Sequence, residues 1–142
     1  MHTMESSEQI ALGRDNVIHL GLDLDIAELA VSDAFWSHVP TRHPQLSHGR
    51  ILSVGDYTAT WPYWERHPVG DELVYLVSGD AEFVVATDDE CRTIRLAVGE
   101  AAIVPAGAWH RAVIHAPSRL LFITPTPART DQRPVSPEDE QR

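Results

Sequence analysis

The chain has 142 residues, enough for one domain with a sizeable hydrophobic core, and its single cysteine, Cys91, allows no internal disulfide framework. Its 11 basic and 21 acidic residues give a net charge of −10, which repels phosphate backbones and anionic lipid and so argues against nucleic-acid and membrane partners. The first residues lack a secretory leader pattern, and every apolar run is far shorter than the roughly 18 residues of a membrane span, so we expect a cytoplasmic protein.

Residues 1–48 predict an N-terminal arm whose conformation the sequence leaves open. The segments "DLDIAELA" (23–30) and "SDAFWSHV" (32–39) each begin with a helix-capping residue and could form a short helix. The segment "VIHLGL" (17–22) favours an extended conformation instead. We therefore expect a short arm that is helical or extended.

Residues 49–125 consist of short β-favouring runs separated by turn residues. There are seven such runs: "RILSVGDYTATW", "ELVYLV", "AEFVVAT", "TIRLAV", "AAIVPA", "HRAVIH" and "LLFIT". Because no long amphipathic helix separates them, the pattern predicts an antiparallel sandwich or barrel rather than a βαβ fold. The fold class predicted from the sequence is all-β.

Residues 126–142 are rich in proline and charge and poor in apolar side chains. Such a segment cannot form a core of its own. We expect a C-terminal tail that is flexible or lies over the barrel surface.

One cluster of charged side chains falls within the β-rich region. Strand alternation places Trp61, Tyr63, Glu65 and His67 on one face, and the next strand begins at Glu72 after a short turn. If the two strands are neighbours and both faces point inward, the two glutamates and the histidine converge inside the barrel. Isolated ionised groups in a core cost several kcal/mol each, so the cluster requires a cation or a tight hydrogen-bond network.

Each of these residues also has an ordinary structural interpretation. Glu65 could pair with Arg66 or Arg50 at the barrel rim. Glu72 could cap the turn that precedes it, and His67 could be a hydrogen-bonded core histidine. These alternatives stay open at this point.

A second stretch, "GEAAIVPAGAWH" (99–110), combines a glycine turn, a short apolar strand, a proline turn and a histidine that starts the next strand. Alternation places His110, Ala112 and Ile114 on one face. Taken alone, the stretch predicts a tight turn followed by a half-buried histidine.

Together the two stretches resemble the paired motifs of the cupin superfamily, small single-domain jelly-roll β-barrels. The second motif of that family, G-x5-P-x-G-x2-H-x3-N, is matched by Gly99, Pro105, Gly107 and His110, with Ile114 at its final position. The resemblance implies a cupin-type antiparallel β-barrel over residues 50–125.

The first cupin motif, G-x5-H-x-H-x3-4-E-x6-G, is matched by His67, Glu72 and Gly79. Glu65 stands at the position of the first histidine, and Ala59 at that of the opening glycine. The carboxylate at the first position adds a negative charge to the site, which should favour a higher oxidation state or a harder metal such as Mn or Zn.

The resemblance implies one divalent metal inside the barrel, with Glu65, His67, Glu72 and His110 as candidate ligands. Imidazole and carboxylate donors suit Fe, Mn, Zn or Ni. We assign Glu65, His67 and His110 as a two-histidine, one-carboxylate face that leaves coordination positions open. Glu72 is then either a fourth ligand or a general base, and the sequence does not choose between these roles.

Three aromatic residues, Trp61, Tyr63 and Trp109, lie beside the candidate ligands in the sequence. They could wall an apolar substrate pocket or could be ordinary core or rim aromatics. If Tyr63 faces inward, its hydroxyl could orient a substrate or a metal-bound water.

The leading functional hypothesis is a metal-dependent cupin enzyme that acts on a small oxygen-bearing organic substrate. Analogy with the superfamily favours a dioxygenase-like oxidoreductase. An isomerase, cyclase or lyase with a glutamate as base is an alternative, and a non-catalytic ligand-binding or metal-binding module is another. The exposed strand edges of the barrel and the hydrophobic N-terminal segment, together with the resemblance, predict a homodimer.

Overall fold

The computed structural model describes residues 8–32, 35, 44–126 and 130–141, and these form antiparallel β-strands with two short 3-10 turns. The strands are β1 (Asn16–Leu20), β2 (Ile26–Ala30), β3 (Arg50–Tyr57), β4 (Tyr63–Arg66), β5 (Glu72–Ala86), β6 (Cys91–Leu96), β7 (Ala101–Val104), β8 (Trp109–Pro125) and β9 (Asp131–Pro134). The 3-10 turns span Pro44–Ser47 and Asp139–Gln141. The all-β prediction is confirmed. Among the described residues no helix has the length and apolar character needed to cross a bilayer.

The two longest strands, β5 and β8, organise the sheet. They pair with each other from Leu73↔Ile123 to Ala86↔Trp109. The second half of β8 also pairs with β3, whereas its first half meets β4 at Glu65↔His110. Strands β6 and β7 pair with the two ends of β5. Because both long strands change neighbours along their length, the sheet curls into a barrel.

Each long strand combines two of the runs that the sequence separated. The break predicted at "SGD" is a bend inside β5, where the register against β8 shifts between Leu76 and Ala81. Gly79 lies at this irregularity with φ +100°, a left-handed conformation that glycine adopts without strain. The turn signal there bends the strand without ending it.

The main core fills the barrel interior. Along β5 the buried side chains alternate, so Val74 and Leu76 point inward and pack with Phe83 and Leu120. Full burial of a side chain of this size contributes about 1.5–3 kcal/mol. These residues form the apolar part of the interior that surrounds the candidate site.

A second cluster lies on the opposite face of the same strands, and we call it the outer cluster. It contains Trp64, Val84 and Ala86, with Trp109, Val113 and Val135 packed against them. Since Phe83 and Val85 belong to the main core, alternation places Val84 and Ala86 outside the barrel. The outer cluster is therefore a second apolar layer to which the end of the chain contributes.

Residues 16–30 of the N-terminal arm form a β-hairpin. Strand β2 pairs with β1 in the register Asn16↔Ala30, and β1 adds to the barrel through β3. The helix alternative for residues 23–30 is wrong. An eight-residue segment is too short to be stable as an isolated helix, whereas pairing with β1 satisfies its backbone groups. The other predicted helix, 32–39, lies almost entirely outside the described residues, although its Phe35 is buried.

The C-terminal tail contains strand β9, which the sequence analysis did not anticipate. It pairs with β4 in the register Glu65↔Gln132. Side-chain contacts also hold the segment, because Arg66 donates from Nε and Nη2 to Asp131, and Trp64 Nε1 donates to Asp139 at 3.1 Å. Backbone pairing and polar contacts thus order a segment whose composition predicts no core.

Candidate metal centre

The candidate centre lies where β4, β5 and β8 meet inside the barrel. Glu65 in β4 is directly opposite His110 in β8, Glu72 begins β5, and His67 follows β4 directly. The alternation predicted from the sequence holds here, because Trp64, between the inward positions, points into the outer cluster. The structure therefore brings together the four residues that the sequence selected as ligand candidates.

Glu72 lies between the two imidazoles. Its Oε2 is 3.1 Å from His67 Nε2, and its Oε1 is 3.1 Å from His110 Nε2. Thr124 Oγ1 donates a hydrogen bond to Glu72 Oε2 at 2.7 Å. All three ionisable side chains are buried, with exposed fractions of 0% for His110, 4% for Glu72 and 7% for His67.

The charge state of Glu72 follows from these neighbours. Burial raises the pKa of the carboxyl, but the close polar contacts and charge attraction of His110 and His67 outweigh burial and lower the pKa to about 2. The carboxylate is therefore ionised at neutral pH.

Glu65 lies at the open side of the cluster. Its Oε2 is 4.0 Å from His110 Nε2, and its Oε1 accepts a hydrogen bond from Gln132 Nε2 at 3.0 Å. Glu65, His67 and His110 each offer one ligand atom, and these atoms lie within 4.8 Å of one another. The grouping coincides with the two-histidine, one-carboxylate face assigned from the sequence.

Several buried nitrogen and oxygen atoms of the cluster make no hydrogen bond within the described residues. Whether a metal ion could satisfy them is a test of how well the residues present fit a metal. The atoms are Nδ1 and Nε2 of His110 and Oε1 of Glu72. The 3.1 Å approach of Nε2 to Oε1 allows attraction but is not aligned along an N–H direction. An unsatisfied buried polar group costs about 1–3 kcal/mol. A cation bound by His110 Nε2 and a carboxylate oxygen would satisfy two of these three atoms, so the residues present fit a divalent metal.

The ordinary structural interpretations of Glu65, an ion pair at the barrel rim, and of Glu72, a cap on the preceding turn, can be compared with the contacts observed. Arg66 bonds to Asp131, away from Glu65. Asp71, whose Oδ1 accepts the Ala106 N–H at 2.9 Å, ties the strand entering at Glu72 to the proline turn before His110. The side-chain contacts of Glu72 within the described residues are with Thr124, His67 and His110 and not with the turn that precedes it.

A cavity of about 590 Å³ opens onto the centre. Its walls are aromatic and hydroxyl-bearing, and the lining residues other than the candidate ligands are Ser53, Tyr57, Trp61, Tyr63, Phe122, Thr124, Thr130 and Gln132. Tyr63 stacks on Trp61, with 5.5 Å between ring centroids. Burial, followed by the charge of Glu65, raises the pKa of Tyr63, so its hydroxyl keeps its proton. Two of the three aromatic residues selected from the sequence therefore line the cavity.

Trp109, the third aromatic candidate, faces away from the cavity. It packs in the outer cluster, where the guanidinium carbon of Arg66 lies 4.6 Å from its ring centroid and that of Arg133 lies 5.1 Å away. The reason is strand alternation, because Trp109 adjoins the inward-pointing His110.

Sequence reasoning missed six residues that line the cavity beside the candidate ligands: Ser53, Tyr57, Phe122, Thr124, Thr130 and Gln132. Thr124 and Phe122 could have been found by continuing the inward alternation from Leu120 along β8. Gln132 and Thr130 have no such signal, because their segment reads as a polar, proline-rich tail.

The chain is similar to known proteins in the region that forms the barrel. The cupin domain family matches residues 50–124, just over half of the chain. No curated protein matches the chain. Vicilin from Solanum lycopersicum superposes with a TM-score of 0.53 and 19% identity over 68% of this chain and 28% of its own.

Two bacterial structures superpose similarly. Oxalate decarboxylase of Bacillus subtilis gives a TM-score of 0.51 and 20% identity over 69% of this chain and 26% of its own. A Bacillus halodurans protein gives a TM-score of 0.50 and 19% identity over 58% of this chain and 66% of its own. The chain spans about a quarter of the length of vicilin and of the decarboxylase. At these identities the likeness concerns the fold alone.

Proposed function

The chain belongs to the cupin family, and from this premise we propose that it is a metal-dependent enzyme acting on a small oxygen-bearing organic substrate. One observation carries the proposal. Ligand atoms of Glu65, His67 and His110 converge at a cavity of about 590 Å³, where buried donor atoms lack hydrogen bonds within the described residues. A site of this kind combines open coordination positions with room for a substrate.

We propose that the two histidines and Glu65 hold one divalent metal, with Fe, Mn, Zn and Ni as the candidates. When bound, the metal would supply Lewis-acid chemistry, or dioxygen chemistry if it is iron. A two-histidine, one-carboxylate face is typical of non-haem iron oxygenases. For that reason the reaction proposed first is that of a dioxygenase-like oxidoreductase.

The cavity side chains would bind and orient the substrate. The indole Nε1 of Trp61 is buried and makes no hydrogen bond within the described residues. Because Trp61 lines the cavity, we propose that this N–H donates to a substrate oxygen once the ring turns to expose it. The Tyr63 hydroxyl, which keeps its proton, is a second donor, and Phe122 supplies apolar surface that excludes water.

The isomerase, cyclase or lyase alternative needs a carboxylate base. A base works best when its pKa lies near the working pH. Glu72, with a pKa of about 2, meets this requirement poorly. In that alternative the base would be Glu65, which lines the cavity and is less buried.

Metal content tests the proposal directly. We would measure it by inductively coupled plasma mass spectrometry on the wild type and on the His110→Ala and Glu65→Gln variants. The expected result is near-stoichiometric metal in the wild type and its loss in both variants. Glu82→Gln is a matched control, because Glu82 also contacts a histidine, His115 at 3.2 Å, but lies outside the candidate centre.

Two other results would redirect the assignment. Loss of metal in His110→Ala but not in Glu65→Gln would remove Glu65 from the ligand set. A wild type that holds no metal after reconstitution would contradict the enzyme proposal and favour the second candidate, a non-catalytic ligand-binding module. One contact favours that candidate, because Glu72 lies between the two imidazoles, 3.1 Å from Nε2 of each.

An open coordination position can be tested without knowing the substrate. Nitric oxide, a dioxygen analogue, gives a characteristic electron paramagnetic resonance signal when it reaches Fe(II) that has a free position. We expect this signal from anaerobically reconstituted protein. Bound Fe(II) that gives no such signal would contradict the dioxygenase-like reaction and leave the redox-neutral alternative.

A further inference from the structure

The C-terminal segment (residues 130–141) reaches the candidate centre, although it lies beyond the cupin match at residues 50–124. Gln132 Nε2 donates to Glu65 Oε1 at 3.0 Å, and Thr130 Oγ1 lies 3.2 Å from His67 Nδ1. Both residues line the cavity. Two of the three candidate metal ligands thus have a side-chain partner in this segment.

Strand register explains how the segment delivers these groups. Gln132 lies opposite Glu65 in the pairing of β9 with β4 and faces the cavity. Its neighbours Asp131 and Arg133 face the outer side. There Arg66 bonds to Asp131 at 2.7 and 3.0 Å, and the guanidinium carbon of Arg133 lies 5.2 Å from the Trp64 ring centroid. The same alternation anchors the strand on one side and presents Gln132 on the other.

Farther along, a second anchor holds the end of the segment. Trp64 Nε1 donates to Asp139 Oδ2 at 3.1 Å, and Ser136 donates to the same oxygen from its backbone N–H and its hydroxyl. Trp64 is in turn buried in the outer cluster, next to the inward-pointing Glu65. Anchors near both ends of the segment, all on its outer side, therefore fix the position of β9 beside the cavity.

We infer that the C-terminal segment is part of the metal centre, with Gln132 and Thr130 as positioning residues for Glu65 and His67. The inference rests on the proposed metal site. Gln132 holds Oε1 of Glu65, which leaves Oε2, 4.0 Å from His110 Nε2, to face a cation. When His67 Nδ1 carries the proton it donates to Thr130 Oγ1, and Nε2 keeps its lone pair toward the centre.

Docking of the segment and metal binding are consequently coupled. If the docked segment raises the metal affinity by some factor, bound metal raises the equilibrium constant for docking of the segment by the same factor. A merely structural tail would have no such reciprocity.

Zinc affinity of the full chain tests the inference, measured by competition with a chromogenic chelator. We expect Gln132→Leu and Thr130→Val to bind Zn(II) about 10- to 100-fold more weakly than the wild type, the usual effect of losing a hydrogen-bond partner of a metal ligand. Thr130→Ser, which keeps the hydroxyl, should retain most of the affinity. Glu138→Gln, an exposed change in the same segment, is the matched control and should bind as the wild type does.

Hydrogen exchange supplies the reciprocal readout. Adding Zn(II) to the wild type should slow backbone exchange across residues 130–141, and the effect should be smaller in Gln132→Leu. Circular dichroism in EDTA verifies that each variant is folded, and Thr130→Val and Gln132→Leu each test the inference if the other fails to fold.

The contrary outcomes separate the inference from the function on which it rests. Wild-type affinity in both Gln132→Leu and Thr130→Val, or Zn(II) binding that leaves exchange in the segment unchanged, would overturn the inference and leave the metal-dependent function standing. A wild type that binds no Zn(II), Fe(II), Mn(II) or Ni(II) would overturn both.

Discussion

At the residue scale, Glu72 is the most constrained side chain of the candidate centre. It is buried, it contacts both imidazoles at 3.1 Å, and it accepts a hydrogen bond from Thr124. Burial acts against its charge, and the histidines more than offset burial, so its pKa falls from 4.5 to about 2. A carboxyl with this shift stabilises the folded state whenever it is ionised.

The stability contributed by Glu72 should depend on pH. It is fully present above pH 4.5, the unfolded value, and is lost as the pH falls toward 2. Its size is about 3 kcal/mol, at roughly 1.4 kcal/mol per pKa unit. Urea unfolding of the metal-free protein in EDTA measures this. The difference in free energy of unfolding between the wild type and Glu72→Gln should become smaller as the pH drops from 5 to 3.

The control for this comparison is Glu82→Gln, whose carboxylate is only partly buried beside His115. It should show a small gap at every pH. A gap for Glu72→Gln that stays constant from pH 7 to 3 would mean that the buried carboxyl does not titrate with folding.

At the scale of elements, glycines shape the bend inside β5 and the turn that precedes His110. Gly79 and Gly107 both have left-handed φ values, +100° and +80°. A Cβ at Gly79 would lie 2.4 Å from the carbonyl oxygen of Pro117, whereas a Cβ at Gly107 would meet nothing within 4 Å. At Gly13 there is neither a left-handed φ nor a close atom. An added Cβ would therefore meet both backbone strain and steric overlap at Gly79, backbone strain alone at Gly107, and neither at Gly13.

Alanine at these three positions should give a graded loss of stability. We expect almost no change for Gly13→Ala, about 1–2 kcal/mol for Gly107→Ala from φ alone, and a larger loss for Gly79→Ala, because backbone atoms cannot move aside cheaply. Chemical denaturation measures all three. Equal losses at Gly79 and Gly107 would show that the bend in β5 relaxes to admit a side chain.

The comparison of sequence with structure also belongs to this scale. His110 could be placed from sequence because its turn carries fixed glycine and proline positions, and Glu65 and His67 because alternation is local. The merging of runs across Gly79 could not be foreseen, since a bend and a chain reversal use the same residues. Gln132 could not be placed either, because it reaches Glu65 through a pairing 67 residues apart in sequence.

At the scale of the whole molecule, strand β2 ends the sheet. Among the described strands it pairs only with β1. Three apolar side chains are exposed in the connection from β1 and at the start of β2. They are Leu22, Leu24 and Ile26, with exposed fractions of 73%, 90% and 53%. An unpaired edge flanked by apolar side chains favours pairing with another chain. We propose that a second copy of this chain covers it, forming a homodimer.

Sedimentation equilibrium tests the dimer. The expected mass is twice 15.8 kDa, and the combined change Leu24→Asp and Ile26→Lys should shift it toward the monomer. Ile103→Lys, which alters an apolar residue of similar exposure on β7, should not. Because each chain carries a net charge of −10, the dimer should weaken at low ionic strength. A wild type of monomer mass in moderate salt would contradict the proposal.

The position of Trp61 gives the protein an intrinsic optical reporter. Its indole is buried, and its ring centroid lies 6.2 Å from that of His110. Paramagnetic ions quench tryptophan emission at such short range, whereas diamagnetic zinc does not. Fluorescence of the unlabelled protein should therefore distinguish iron or manganese from zinc during a titration, and a Trp61→Phe variant would identify the part of the signal that comes from this ring.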